Sequence, residues 1–303
     1  LQVVGYEEVG RRWGIKGKDW DFGPCISVYA AESPEREVRE RAQDGGAVTA
    51  LLKTLLEYEY IDGAVVTGFG SEPLLPEPKV ITRPEEAPHY AGSKYCRGPI
   101  FTAVIDAVKH YGRSRLALVG LPCQVATLRR IQTSSPTNRQ IGESVKLVIG
   151  LFCQGAFQYK FFKDVVEKQA RVPLTEIVRV EVSGDRVILY RKEKPKREIA
   201  LSIANRYLDP ACRLCSDFSS LLADISVGSI GSPAKMSTVV IRTQTGADAF
   251  NFTVKMGGIR MRLLESSGLA KAKEAEKKKR EEAKRALERM RAAQRSLPAW
   301  AGG

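Results

Sequence analysis

The 303 residues carry 48 Lys+Arg against 35 Asp+Glu, a formal net charge of +13, with 43% hydrophobic and 27% charged residues. That is a globular composition with room for one large domain or two smaller ones, and no uninterrupted apolar run approaches the roughly 18 residues that a membrane helix needs. Six cysteines are too few for a disulfide-stapled scaffold of this length, and the two histidines, His89 and His110, lie far from any cysteine in the chain, so thiolates are left to carry any metal. The opening residues LQVVGYEEVGRRWG lack the basic start, apolar stretch and cleavage site of a secretory signal, so a cytoplasmic location is expected.

In chain order, SPEREVRERAQD (33–44) opens on a Ser-Pro helix start and breaks at Gly45-Gly46; AVTALLKTLLEYEY then has apolar residues at helical spacing, and IDGAVVTGFG reads as a strand closed by glycines. GPIFTAVIDAVKHYG is the next predicted helix, followed by RLALVGLPC, an apolar strand running into a Pro-Cys turn, and KLVIGLFC, which repeats the arrangement. EIVRVEVSGDRVILYRK alternates around Ser183-Gly184-Asp185 as a β-hairpin should, and KREIALSI adds a third strand. After DPACRLCSD, ADISVGSIGSP is a short strand breaking into a Gly/Ser/Pro loop, STVVIRT is another strand and GADAFNFTVKMGG a helix. Residues 271–295 hold eleven Lys+Arg against five Glu, with Glu276/Arg280 and Glu281/Arg285 at helical spacing, and read as an exposed, charge-laced helix. No aromatic stacking set interleaves with these charges, which disfavours nucleic acid as its partner.

The predicted fold is α/β, a mixed sheet flanked by helices, with Cys123 and Cys153 at the carboxyl ends of two strands, where the ligands of open α/β sheets gather. With Cys212 and Cys215 of the Cys-x-x-Cys they make a four-thiolate set. The reducing cytosol disfavours a disulfide, while spacing alone leaves structural zinc and iron-sulfur both open. Cys25 and Cys96 are spare. Three glycine-rich loops suit a phosphate-bearing cofactor: Gln43-Asp44-Gly45-Gly46 before a helix, Gly92-Ser93-Lys94-Tyr95, in which Lys94 could neutralise a phosphate and Tyr95 stack on a ring, and Gly228-Ser229-Ile230-Gly231-Ser232. Together they suggest a flavin or nucleotide beside a metal cluster. A side chain at Gly45 is expected to occupy the close approach to a phosphate.

The motifs AQDGGAVTALL, AGSKY, VGLPCQVATLRRIQT, LVIGLFC, PACRLCSD and ADISVGSIGSP, in this order, resemble the coenzyme F420 hydrogenase/dehydrogenase beta-subunit family over about residues 30–265, and the charged tail ending in Leu297-Pro298 resembles the hydrogenase type. The resemblance implies an iron-sulfur flavoprotein subunit that relays electrons between a 4Fe-4S cluster and FAD and exchanges hydride with coenzyme F420. It implies Cys123, Cys153, Cys212 and Cys215 as cluster ligands, and Gln43, Asp44, Gly45, Gly46, Thr49, Gly92, Ser93, Lys94 and Tyr95 as flavin-binding residues, with Ser229, Gly231 and Ser232 as weaker candidates. No acid-base side chain is required for the hydride transfer. The implied layout is an N-terminal segment (1–32), a FAD and iron-sulfur catalytic domain (33–265) and a basic helical tail (266–303) that docks partners. The implied partners are an iron-sulfur small subunit and a catalytic large subunit of a hydrogenase-like complex. A beta subunit of formate dehydrogenase or of another F420-linked oxidoreductase is the alternative within the family, and a zinc-stabilised nucleic-acid-binding protein the alternative outside it.

Overall fold

The structure, a computed structural model, describes residues 22–23, 25–134 and 136–293. Its centre is an eight-stranded sheet in the order β11-β1-β10-β9-β5-β4-β2-β3. Strands β2 (Gly63–Phe69), β4 (Leu116–Gly120), β5 (Val145–Leu151) and β9 (Ile225–Gly228) run parallel as neighbours. Antiparallel strands flank them: β3 (Pro76–Ile81) beside β2, and β10 (Ser237–Ile241), β1 (Ser27–Glu32) and β11 (Arg260–Leu263) beyond β9. This is the expected mixed α/β architecture. The parallel strands read as continuous apolar runs because both faces are covered, and all five residues of β4 are buried.

Alternation along the strands sorts the core into two layers. Ala64, Val66, Ala117, Val119, Leu147 and Ile149 pack on one face against Leu51 and Leu55 of helix α2 (Ala47–Glu57) and Phe250 of the helix Gln244–Lys255. Val65, Leu116, Leu118 and Val148 face Ile100 and Val104 of α3 (Ile100–Lys109) and Val125 and Leu128 of α4 (Pro122–Gln132). A separate three-stranded antiparallel sheet, β6 (Ile177–Ser183), β7 (Arg186–Arg191) and β8 (Lys194–Ala200), forms a third core with Phe161, Phe162 and Val166 of a wide-turned helix Phe161–Gln169.

Several elements depart from the sequence expectation. The first helix is shorter, α1 (Arg36–Arg41). Pro122 opens α4, so Cys123 lies on the first turn of a helix rather than in a loop, a position where proline costs no hydrogen bond. β1 falls inside the stretch expected to be an N-terminal segment, yet pairs with both β10 and β11. β3 was hidden by Pro76 and Pro78, which the sheet tolerates because β3 is its last strand.

The charged tail is a single helix, α5 (Ser266–Ala292), and its first two thirds lie on the body: Ala272, Glu276, Lys279 and Ala283 are all buried. The residues after Ala293 lie outside the described part. Among the described residues no helix is long and apolar enough to cross a membrane.

Candidate functional site

The carboxyl ends of the parallel strands, together with the end of β1 and the start of β10, share one edge of the main sheet, and Gly45, Cys123, Cys153 and the loop 228–232 sit at or next to these ends. β4 and β5 are neighbours in register, Gly120 beside Gly150, so Cys123 and Cys153 leave adjacent strand ends. Cys212 lies within the short turn Pro210–Leu214 and Cys215 caps its end, and Asp209 fixes the turn by accepting from the Ala211 amide at 2.9 Å. The Ala156 amide donates to Cys212 Sγ at 3.4 Å, and the Cys153 amide donates to the Phe218 carbonyl at 2.8 Å.

All six cysteines are free thiols, which removes the disulfide reading of Cys212 and Cys215. Burial pushes the Cys153 thiol up to about 12 and Cys215 up to about 11; Lys279 opposes both shifts, and the neighbouring thiols add to them. Cys123, Cys153, Cys212 and Cys215 therefore stand within electrostatic range of one another. Among the described residues, no three His, Cys, Asp or Glu side chains gather tightly enough to hold a single metal ion.

A buried charge network backs the thiols. Lys279 Nζ donates to the Cys153 carbonyl, and Glu276 accepts from the Phe218 and Ser219 amides at 3.2 and 2.8 Å. Burial, then the Glu276 carboxylate, raises Asp217 to about 7. The Arg242 guanidinium donates to Ser226 Oγ at 2.7 Å and Ser219 Oγ at 3.0 Å.

The second group of residues collects where the break between α1 and α2 meets the small sheet. Arg179 Nη2 donates to the Gln43 carbonyl at 3.1 Å and to Glu181 Oε2 at 3.0 Å, while its guanidinium lies 5.4 Å from the Tyr190 ring centre. Tyr190 donates to the same Glu181 oxygen at 3.2 Å. The Tyr95 hydroxyl accepts from the Val182 amide at 3.1 Å. Burial raises the Asp44 carboxyl; Arg179 pulls it down and Glu181 pushes it up, so these side chains form one electrostatic unit.

Gly45 is glycine for a reason internal to the fold: a Cβ there would stand 2.4 Å from the Ala31 carbonyl oxygen and 2.8 Å from the Ser237 amide nitrogen. Close packing of the α1–α2 break onto β1 and β10, rather than approach to a phosphate, accounts for it. Gly46 is the N-cap of α2, and Thr49 is buried on the same helix. Lys94 gives its ammonium to the carbonyls of Tyr90, Ala91 and Gly92 at 2.5, 2.9 and 2.9 Å and lies 5.6 Å from the Phe69 ring centre, so its three donors order its own loop rather than reach outward. Burial lowers its pKa to about 8. Ser93 is exposed beside it.

In the third loop Ser229 is exposed and Ser232 shares a 2.7 Å hydrogen bond with Thr238. Gly231 (φ 106) touches the start of α5, where a Cβ would stand 2.6 Å from the Gly268 carbonyl oxygen. Cys96 is buried in the small-sheet core, and burial pushes its thiol to about 12; Cys25 is exposed.

A link between the two groups was not foreseen. Arg97, three residues after Lys94, pairs with Asp209 beside Cys212, and Gln124, next to Cys123, donates to the Gly98 carbonyl at 3.0 Å. Sequence reading also missed Arg179, Glu181, Glu276 and Lys279. Arg179 and Glu181 left a signal, opposite charges two residues apart on one predicted strand and hence on one face. Glu276 and Lys279 left none, because a buried charge on a charge-rich helix looks like its solvated neighbours.

The comparisons with known proteins give this α/β sheet, with thiols and a polar corner at the carboxyl ends of its strands, its class, an F420-linked oxidoreductase subunit. Residues 28–104 match the amino-terminal part, and residues 113–267 the carboxyl-terminal part, of the family described as coenzyme F420 hydrogenase/dehydrogenase, beta subunit. The coenzyme F420 hydrogenase subunit beta of Methanosarcina barkeri is 33% identical over 236 residues, 78% of this chain and 81% of that protein. A chain from the xenon-derivatized F420-reducing [NiFe] hydrogenase complex of Methanosarcina barkeri superposes with a TM-score of 0.87 at 29% identity, over 93% of this chain and 99% of that one. A coenzyme F420-dependent sulfite reductase of Methanocaldococcus jannaschii is 30% identical over 289 residues, but the match takes in 86% of this chain and 45% of that enzyme. The chain belongs to the coenzyme F420 hydrogenase/dehydrogenase beta-subunit family, a family of F420-linked oxidoreductase subunits.

Proposed function

We propose that this chain is an iron-sulfur flavoprotein subunit that relays electrons between a 4Fe-4S cluster and FAD and transfers hydride to or from coenzyme F420 within a hydrogenase-type complex. The observation that carries this reading is the convergence of four free thiols at one strand edge, joined through Arg97–Asp209 and Gln124–Gly98 to the loop that ends at Tyr95.

The residues present fit both groups. Each thiolate of a four-iron cluster binds a different iron, so its ligands stand farther apart than those around one tetrahedral zinc. Four thiols in mutual electrostatic range supply the ligand number a cluster needs, and membership of the F420-linked family supports the cluster over the zinc of the nucleic-acid-binding alternative. On the flavin side, Gln43 Oε1 and Arg179 Nε are buried polar atoms without a partner in the protein, which is what a ligand-facing surface carries. When bound, FAD supplies the exchange between single electrons and hydride.

The chain's own residues hold and orient. Asp209 and the Ala156 amide fix the Cys212 turn; Lys279 places a positive charge beside the thiols, which favours their ionised, ligating form. Tyr95, pinned by the Val182 amide, and Lys94, which orders its own loop, keep the connecting segment rigid. Partner subunits supply or take the electrons. The similarity to a hydrogenase complex favours hydrogenase-type partners, while the sulfite reductase relative keeps other F420-linked assemblies as the second reading.

The test follows electrons past the flavin. Reduced F420 is added anaerobically to the complex with a viologen dye as one-electron acceptor. With Cys212→Ser, bound flavin should still be bleached by reduced F420, while dye reduction falls at least about 100-fold, because the cluster is lost. Dye reduction at the unmodified rate in Cys212→Ser would remove the thiols from the electron path.

A further inference from the structure

We propose that Gln43 and Arg179 together take the pyrimidinedione edge of a flavin-type ring, the carbonyl, N–H, carbonyl edge that FAD and coenzyme F420 have in common. The assignment deepens the reading above and rests on it.

Gln43 Oε1 is a buried acceptor and Arg179 Nε a buried donor, and neither is bonded within the protein. They belong to one unit, since Arg179 Nη2 reaches the Gln43 carbonyl at 3.1 Å. The guanidinium is locked in place: Nη2 spans Gln43 and Glu181, and its plane is held against Tyr190, 5.4 Å away. A buried polar group without a partner destabilises the protein until a ligand or water meets it. Two such groups of opposite kind in one preorganised corner match a ligand edge that offers both a donor and acceptors.

Charge selects the class of ligand. One guanidinium stands among the carboxyl groups of Asp44 and Glu181, with Glu181 at 3.0 Å, so the corner has no surplus positive charge for a phosphate. A free carbonyl acceptor on Gln43 would repel phosphate oxygens as well. A neutral edge with alternating acceptor and donor meets neither obstacle. Nearby, the Tyr95 hydroxyl is held by the Val182 amide, from which it accepts.

The test uses the full chain in its complex, with Gln43→Met and Arg179→Lys. Dissociation constants are measured without turnover for FAD, for N3-methyl-FAD, which lacks the N–H of that edge, and for F420 on the FAD-loaded complex. If FAD presents the edge, the unmodified complex prefers FAD over N3-methyl-FAD by about tenfold, and Gln43→Met erases the preference. If F420 presents it, the two flavins bind alike and F420 binding weakens by about tenfold in both variants. Because the flavin preference is a ratio within one protein, a general loss of stability does not imitate it. FAD and F420 affinities within about twofold of the unmodified complex in both variants would overturn the assignment. An unmodified complex that binds neither FAD nor F420 would instead overturn the function itself.

Discussion

The thiol corner and the Gln43–Arg179 corner share one edge of the sheet but are finished differently. Behind the thiols, Glu276 takes two backbone amides, Lys279 takes a backbone carbonyl, and Arg242 and Asp217 offset one another in the interior. That corner is closed by the protein's own charges. The Gln43–Arg179 corner is built from an interhelix break, a loop and a small accessory sheet, and it retains an acceptor and a donor that the protein does not use. The charges of the first corner are paired within the protein, while the second keeps an acceptor and a donor of one side-chain unit without a partner.

Three substitutions sharpen this contrast. Glu276→Leu removes the carboxylate that holds the Phe218 and Ser219 amides and should lower the unfolding free energy by about 3 kcal/mol in urea titration; a change below about 1 kcal/mol would mean that α5 is not part of the closed corner. Gly45→Ala should cost about 2 kcal/mol in the flavin-free protein, because the methyl group meets the Ala31 carbonyl and the Ser237 amide. If flavin-free stability were unchanged and only flavin affinity fell, the glycine would be serving the ligand and not the packing. Ending the chain at Leu287, beyond Ala283, the last buried residue among the described ones, should shift stability by less than about 0.5 kcal/mol. Loss of partner subunits from that truncated chain on co-purification would assign docking to the residues after Leu287, and full retention would move docking elsewhere.

Much of the architecture was legible because its signals are local. LALVG and KLVIGL are apolar runs of strand length, and cysteines at their ends stay together once the strands pair as parallel neighbours. The Ser183-Gly184-Asp185 turn announced its hairpin. What escaped depends on distant partners. β3 reads as a non-strand until its edge position excuses the prolines. Glu276 and Lys279 read as solvent-facing until the Cys153 and Phe218 segments cover them. At Gly45 the need for glycine was visible, but its cause was not, because Ala31 and Ser237 reach it only through the sheet. Arg179 lies far along the chain from Gln43, and no periodicity links a hairpin residue to an interhelix break.

The most direct test of the account is the cofactor content of the anaerobically purified chain, as iron, acid-labile sulfide, zinc and flavin per polypeptide. The account predicts about four irons with matching sulfide and about one flavin, with the iron falling to background in Cys215→Ser. One zinc per chain, with neither iron nor flavin, would contradict it.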